Sequence, residues 1–286
     1  MPVLSPPTGS GRAHLPAGER VPSLTAADRP AVLRALREAP LRVTERLTSA
    51  SNVVLRASVD GPDGEIHCVY KPAQGERPLW DFPDLVLGRH EVASYLISEL
   101  LGWGLVPPTV WREDAPAGPG AVQMWVSAAV TEEIGIFPRG AVPEDFLPVL
   151  SGTDERGHEV IVGHRDEPRL RNMALLDAVI NNSDRKAGHV LGDRADLVGI
   201  DHGVAFHPED KLRTVLWGFA GQPLSDSQLT DLMRLLTSLR SDPGALSGLV
   251  TAPQMAALIG RCQRLVDAGE YPMPAPGWPA VPWPIW

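Results

Sequence analysis

The sequence predicts an α+β protein of two lobes, a strand-rich first part with one long helix and a helical second part. Three observations predict this. VVLRASV (53–59) and EIHCVYK (65–71) are apolar runs of strand length on either side of a Gly/Pro/Asp turn. LVLGRHEVASYLISELL (85–101) has its apolar residues at helical spacing. The remaining long helical patterns all begin after residue 168. The change of character falls near residue 127, and a cleft between two such halves is a usual place for a small-molecule site.

Residues 1–22 are rich in Pro, Gly and Ser without a period and read as a mobile arm. Ser23-Leu24-Thr25 leads into AADRPAVLRALREA, a short amphipathic helix carrying Leu33 and Leu36. The strand over 65–71 alternates, with Ile66, Cys68 and Tyr70 on one face and His67, Val69 and Lys71 on the other. Pro83 marks the entry to the long helix, whose stripe is Val92, Tyr95, Leu96 and Leu100, and Gly102 is placed to end it. GLVPPTVW (104–111) and AVQMWVSAAV (121–130) read as two further strands around a Gly/Pro/Asp turn.

RLRNMALLDAVINN (169–182) reads as a strongly apolar helix, SDRKAGHVLGD (183–193) as a polar loop, and DLVGIDHGVAF (196–206) as a strand running into a loop. Segments 224–241 and 251–269 are helices with Ser or Thr candidates for their N-caps. The tail, YPMPAPGWPAVPWPIW, is too rich in Pro for a helix and is expected as extended coil with its Trp side chains on the body. The organisation is therefore an arm (1–22), a first lobe (23–126), a second lobe (127–270) and a Pro/Trp tail (271–286), with no internal repeat.

Composition excludes several classes. Of 286 residues, 43% are apolar and 21% charged, the balance of a globular chain with a real core. A net charge of −9 argues against nucleic acid or an anionic membrane as the main partner. Two cysteines, Cys68 and Cys262, cannot form a disulfide framework or a four-cysteine zinc site. No apolar run reaches the roughly 18 residues of a membrane span, and no secretory signal opens the chain. A cytoplasmic protein with reduced thiols and no membrane insertion is expected.

The sequence lacks a GxxxxGK(S/T) phosphate loop, a GxGxxG after a strand, an HExxH pair and a GxSxG elbow. What remains is dispersed: Lys71 at a strand end, Glu91 on the long helix, Asp184 and His189 in the polar loop, and Asp201 after a short strand. Singly, each has an ordinary explanation as a solvated charge, a turn residue or a structural histidine. Together they fit phosphoryl transfer, which demands placed charge more than covalent chemistry. A strand Lys neutralises phosphate oxygens and a helix Glu fixes that Lys. One Asp orients the attacking hydroxyl, and a second Asp with a ligand five residues after the first holds Mg²⁺.

With these residues in order, the chain resembles the phosphatidylinositol 3-/4-kinase-like family. It is closest in pattern to the type II phosphatidylinositol 4-kinases and a bacterial branch related to them, and more distantly to HipA-type kinases. The likeness rests on VYKP (69–72), GERPLWDFP (75–83), RHEVASYLISELLG (89–102), VQMWV (122–126), NNSDRKAGH (181–189) and GIDHGVAF (199–206). It implies a protein-kinase-like fold and ATP with Mg²⁺ or Mn²⁺. Lys71 would bind phosphates, Glu91 would pair with it, Asp184 would be the catalytic acid with Arg185 beside it, and Asp201 would hold the metal. Gln123, Trp125, Val126 and Ser127 would form the adenine-binding hinge, and Ser49, Ser51 and Asn52 the phosphate-covering loop.

Three departures follow. The second metal position is His189, where the family has Asn, and hard cations prefer oxygen. The loop LTSASN (47–52) has no glycine, and the cysteine-rich palmitoylation stretch is missing. The acceptor is then a protein hydroxyl or a small polyol before a lipid. A pseudokinase that binds nucleotide or a partner is the runner-up, followed by transfer of AMP. A metal hydrolase built from His164, His189, Asp201 and His202 would leave Lys71 and Glu91 without a role.

Overall fold

In the computed structural model, which describes residues 2–4, 28–47, 52–77, 79 and 87–286, the alternation over 65–71 lies in the middle of an antiparallel sheet. Strands β1 (Arg42–Leu47), β2 (Val54–Gly61), β3 (Gly64–Pro72), β4 (Thr109–Arg112) and β5 (Gly120–Met124) lie in the order β1-β2-β3-β5-β4. Gly61 pairs with Gly64 across the turn, which fixes the β2–β3 register, and Gly64 adopts φ +132°, open only to glycine. Ala57, Val59, Cys68, Tyr70, Val110 and Val122 pack with Val32 and Leu36 of helix α1 (Arg29–Glu38) into one apolar cluster. Alternation therefore turns Lys71 to the opposite face. Opposite Pro72, a Cβ on Gly120 would stand 2.4 Å from the carbonyl oxygen of Lys71, so the close approach of β5 to β3 requires glycine there.

Helix α2 (Leu87–Leu101) is buried on almost every face, including His90, Glu91, Ser94 and Ser98. Its first N–H groups, on Leu87 and Gly88, donate to the Glu76 carboxylate at 2.7 and 2.8 Å. A carboxylate there satisfies orphan donors and complements the helix dipole. Pro83 lies outside the described residues. The core residues of α2 join the larger apolar cluster with the later helices, so packing does not divide the chain at residue 127 alone.

The second part is less helical than expected. Strands β6 (Ile134–Pro138), β7 (Phe146–Thr153) and β8 (Glu159–Arg165) form a separate antiparallel sheet in the order β6-β8-β7. Its signal is weak because Pro138 and Pro148 interrupt it, with a register shift at Pro148, and few of its side chains are buried. Of the expected arm, residues 2–4 are described and are tied to this sheet. Leu4 N–H donates to the Thr153 carbonyl, and Leu4 is buried.

Helix α3 (Pro168–Ile180) follows, and the expected strand over 196–206 shrinks to β10 (Val198–Gly199), paired with β9 (Val190–Leu191). Helices α4 (Asp226–Ser241) and α5 (Ala252–Ala268) start in complete capping boxes, Ser225 with Gln228 and Thr251 with Gln254. The tail is coil, as expected. Among the described residues no helix is long and apolar enough to cross a membrane. Cys68 and Cys262 are free and buried, and burial pushes both thiols up to about 12.

Candidate functional site

Lys71, Glu91 and Asp201 come from three different elements and meet. Lys71 Nζ lies 2.5 Å from Glu91 Oε1 and 3.0 Å from Asp201 Oδ1. Glu91 sits on the buried face of α2 with its side chain only 3% exposed, while that of Asp201 is 53% exposed, so the ammonium bridges an interior carboxylate and an open one. The second Glu91 oxygen accepts the His202 backbone N–H at 3.1 Å. Burial by itself would lower the Lys71 pKa, but the charges of Asp201 and Glu91 outweigh it and hold the amine above its ordinary range. Reciprocally, the Lys71 charge holds the Asp201 carboxyl well below the usual carboxylate range. Asp201 adopts φ +60°, a left-handed conformation unusual for a residue other than glycine, and this turns the chain out of β10 at the site.

The loop bearing Asp184 is built on the end of α3. Asn181 closes the helix in the left-handed conformation, and its amide is bonded to the His207 and Glu209 carbonyls. Asn182 accepts the Asp184 backbone N–H at 3.0 Å and donates to Asp177 at 2.9 Å. The Asp184 carboxylate lies 3.2 Å from Lys186 Nζ. Burial raises its pKa, and the nearby charge of Asp201 adds to the rise against Lys186 and Arg213. A part-buried carboxylate with a raised pKa is suited to accept a proton.

Arg185, which the resemblance sets beside the catalytic acid, turns its side chain inward. Its side chain is completely buried and paired with Asp177, also completely buried, through Nε and Nη2 at 2.9 Å. It also donates to the Ile200 carbonyl at 3.1 Å, and its Nη2 lies 2.6 Å from His202 Nε2. Arg185 therefore joins the Asp184 loop to the Asp201 loop from within and has no exposed side-chain atoms to offer a ligand.

Asp201 and His189 are the residues able to hold a cation here. His189 Nε2 lies 3.4 Å from Asp201 Oδ2, close to the ~3 Å between adjacent ligands of an octahedral ion bound at about 2.1 Å. Burial lowers the His189 pKa to about 4, leaving a neutral ring with a lone pair, and its Nδ1 is buried with no partner among the described residues. Among the described residues no group of three or more His, Cys, Asp or Glu side chains is arranged to hold a metal. The pair is spaced as two adjacent ligands of one octahedral divalent cation would be. It does not fit a hydrolase metal centre. His164 has both nitrogens engaged, with the Arg165 carbonyl and the Gly218 N–H, and His202 Nε2 is engaged with Arg185.

The remaining predicted contacts divide. Trp125 N–H donates to the His67 carbonyl, so it extends the sheet. The N–H groups of Val126 and Ser127 find no acceptor among the described residues. Gln123 is buried with its amide donating to Thr109 Oγ1 at 2.8 Å, which fixes β5 against β4. Asn52 accepts the Arg77 N–H at 2.9 Å and so closes the loop after β3. Ser49 and Ser51 lie outside the described residues. Sequence reasoning assigns no role to Glu76 or Asp177, and gives His202 one only in the metal-hydrolase alternative. A signal for Asp177 is present: it is the one acid of α3, in its apolar second half, two turns before Arg185.

A cavity of about 330 Å³ opens on another side of Met124 and Val126, between Arg29, Glu99, Trp103 and Arg169. Its lining includes none of Lys71, Glu91, Asp184 or Asp201. No protein-family model matches the chain. The chain is similar to Protein Rv2133c of Mycobacterium tuberculosis, with 43% identity over 261 residues that span 87% of this chain and 93% of that protein.

Proposed function

The chain belongs to the same family as the mycobacterial Protein Rv2133c, and we propose that it is an ATP-dependent phosphotransferase with a two-lobed, kinase-like arrangement. The observation that carries the reading is the meeting of Lys71, Glu91 and Asp201, which are 20 and 130 residues apart, with Asp184 and His189 beside them. A solvated strand-end lysine needs no such partners. A buried glutamate holding an ammonium toward an open, metal-competent aspartate matches what a polyphosphate requires.

In this reading Lys71 neutralises phosphate oxygens, and Glu91 keeps the ammonium in place from the α2 side. Asp201 and His189 would hold a divalent cation, which would supply charge neutralisation for the transferred group. Asp184 takes the proton of the acceptor hydroxyl. The N–H groups of Val126 and Ser127 receive the base. The acceptor is a hydroxyl of a protein or of a small polyol, and the site is cytoplasmic.

The test is a thermal shift with ATP and Mg²⁺ or Mn²⁺, followed by incubation with γ- and α-labelled ATP. A ligand at a hundred times its Kd stabilises by about 2.7 kcal/mol, and Lys71→Ala should abolish the shift. Label transferred from the γ position only supports the proposal. A shift with no transfer supports the second reading, a nucleotide-binding pseudokinase, which the imidazole at the second metal position favours. No shift at all overturns both.

A further inference from the structure

The Pro/Trp tail lies against the loop that carries Asp184. Ala187 N–H, three residues after Asp184, donates to the Ile285 carbonyl at 2.9 Å, and Ile285 is itself buried. A Cβ on Gly188 would meet the Trp286 backbone at 3.7 Å, so the two segments are in contact. Further back, the Ala280 carbonyl accepts both Thr214 N–H at 3.1 Å and Trp217 Nε1–H at 2.6 Å. Trp278 donates its Nε1–H to the Lys211 carbonyl at 3.1 Å, and its ring lies under the Lys211 ammonium and the Arg213 guanidinium, at 5.1 and 5.4 Å.

The segment held in this way continues into the Asp184 loop. Arg213 N–H donates to the Asn182 carbonyl at 3.0 Å and its Nε to the Ser183 carbonyl at 2.6 Å. Arg185 N–H returns to the Arg213 carbonyl at 3.1 Å, and Val215 N–H to the Arg185 carbonyl at 3.2 Å. Residues 213–215 therefore lie between residues 182–185 and Ala280 of the tail, Ala187 meets Ile285 directly, and Trp278 stacks on the arginine that ties the Asn182 and Ser183 carbonyls. Stacking of a cation on an indole face also limits the rotamers of a long side chain.

We propose that the tail is part of the catalytic apparatus, with Trp278 and Ile285 as positioning residues that set the Asp184 loop through Arg213 and Ala187. The proposal rests on the phosphotransferase reading for its effect on rate, but not for its effect on the loop. It accounts for a coil of this composition being seated on the body at the site of chemistry, where a linker would need no such contacts.

The experiment compares Trp278→Ala, Trp278→Phe and Ile285→Ala in the full chain, with ADP release from ATP and Mg²⁺ as the rate and amide hydrogen exchange as the structural readout. Trp278→Ala and Ile285→Ala should lower kcat about tenfold or more, since a small misplacement of a reacting group is costly, with the KM for ATP within about twofold. Trp278→Phe keeps the ring and should recover most of the rate. Exchange at 182–189 should rise in both alanine variants while α4 and α5 keep their protection. Unchanged exchange at 182–189 overturns the proposal whatever the activity. So does a loss in which KM, kcat and protection of α4 and α5 fall together, since that is general unfolding. A wild-type protein that binds ATP but releases no ADP, with the exchange result as expected, sinks the phosphotransferase reading and leaves the tail's positioning role standing.

Discussion

Lys71 Nζ donates to Asp201 Oδ1 at 3.0 Å across 130 residues of chain, while the same ammonium is held from behind by Glu91. The two carboxylates differ in their access to water, and this difference decides what removing the lysine does. Glu91 is interior, so Lys71→Met leaves a buried carboxylate without its cation, at a cost of about 3 kcal/mol. The double variant Lys71→Met/Glu91→Gln should regain most of that loss, because an amide needs no counter-charge. Urea midpoints of the two single variants and the double variant measure it, and additive losses would mean that the pair is not coupled.

Asp184 and Asp201 should separate in their effects. Asp184 is ion-paired with Lys186 and not with Lys71, so Asp184→Asn should abolish phosphate transfer and leave the Kd for ATP within about threefold. Asp201→Asn removes the carboxylate shared by Lys71 and His189 and should weaken binding of ATP with Mg²⁺ by about tenfold or more. Isothermal titration with and without the metal distinguishes them, and equal losses in both variants would contradict the assignment.

Much of the first part was legible because its elements are regular. The β2–β3 hairpin carries its turn in Gly61-Pro62-Asp63-Gly64, and one face of β3 is apolar, which set Lys71 on the other. The capping boxes of α4 and α5 are local, and local signals survive into the fold. Glu91 was harder. A helix buried on all sides has no polar stripe, so nothing in the spacing tells an interior glutamate from one at the rim. The sheet β6-β8-β7 was missed because its prolines and half-exposed strands blur the alternation. Arg185 is placed beside Asp184 by sequence adjacency, which says nothing of direction, and its partner Asp177 lies in the preceding helix.

That partner gives the next prediction. The Asp177–Arg185 pair is wholly removed from water and also holds Asn182, His202 and the Ile200 carbonyl. Asp177→Asn leaves the Arg185 guanidinium buried without a counter-charge, and the cost should be about 3–5 kcal/mol. Because the pair joins the Asp184 and Asp201 loops, the variant should also lose transfer under conditions where it remains folded. Denaturation monitored alongside activity at low temperature tests both. A fully stable Asp177→Asn would show that the network supplies no more than packing.

The last prediction concerns acid. His90 and His164 are buried away from the cation-binding pair, and burial lowers both to about 4 against hydrogen bonds that would raise them. Their ordinary value is about 6.5. Between the two values the unfolded chain binds protons that the folded chain does not, so stability rises with pH across that window and falls as pH drops through it. Above about 6.5 both states are neutral at these rings and the contribution is flat. Two such histidines give a slope approaching about 2.7 kcal/mol per pH unit near pH 5. Denaturant midpoints should therefore be level from pH 8 to 7 and fall between pH 6.5 and 5. Replacing His164, whose Nε2 accepts the Gly218 N–H, by Gln should reduce the slope by up to about 1.4 kcal/mol per pH unit while lowering stability at pH 7. An unchanged slope in that variant would place the proton uptake elsewhere.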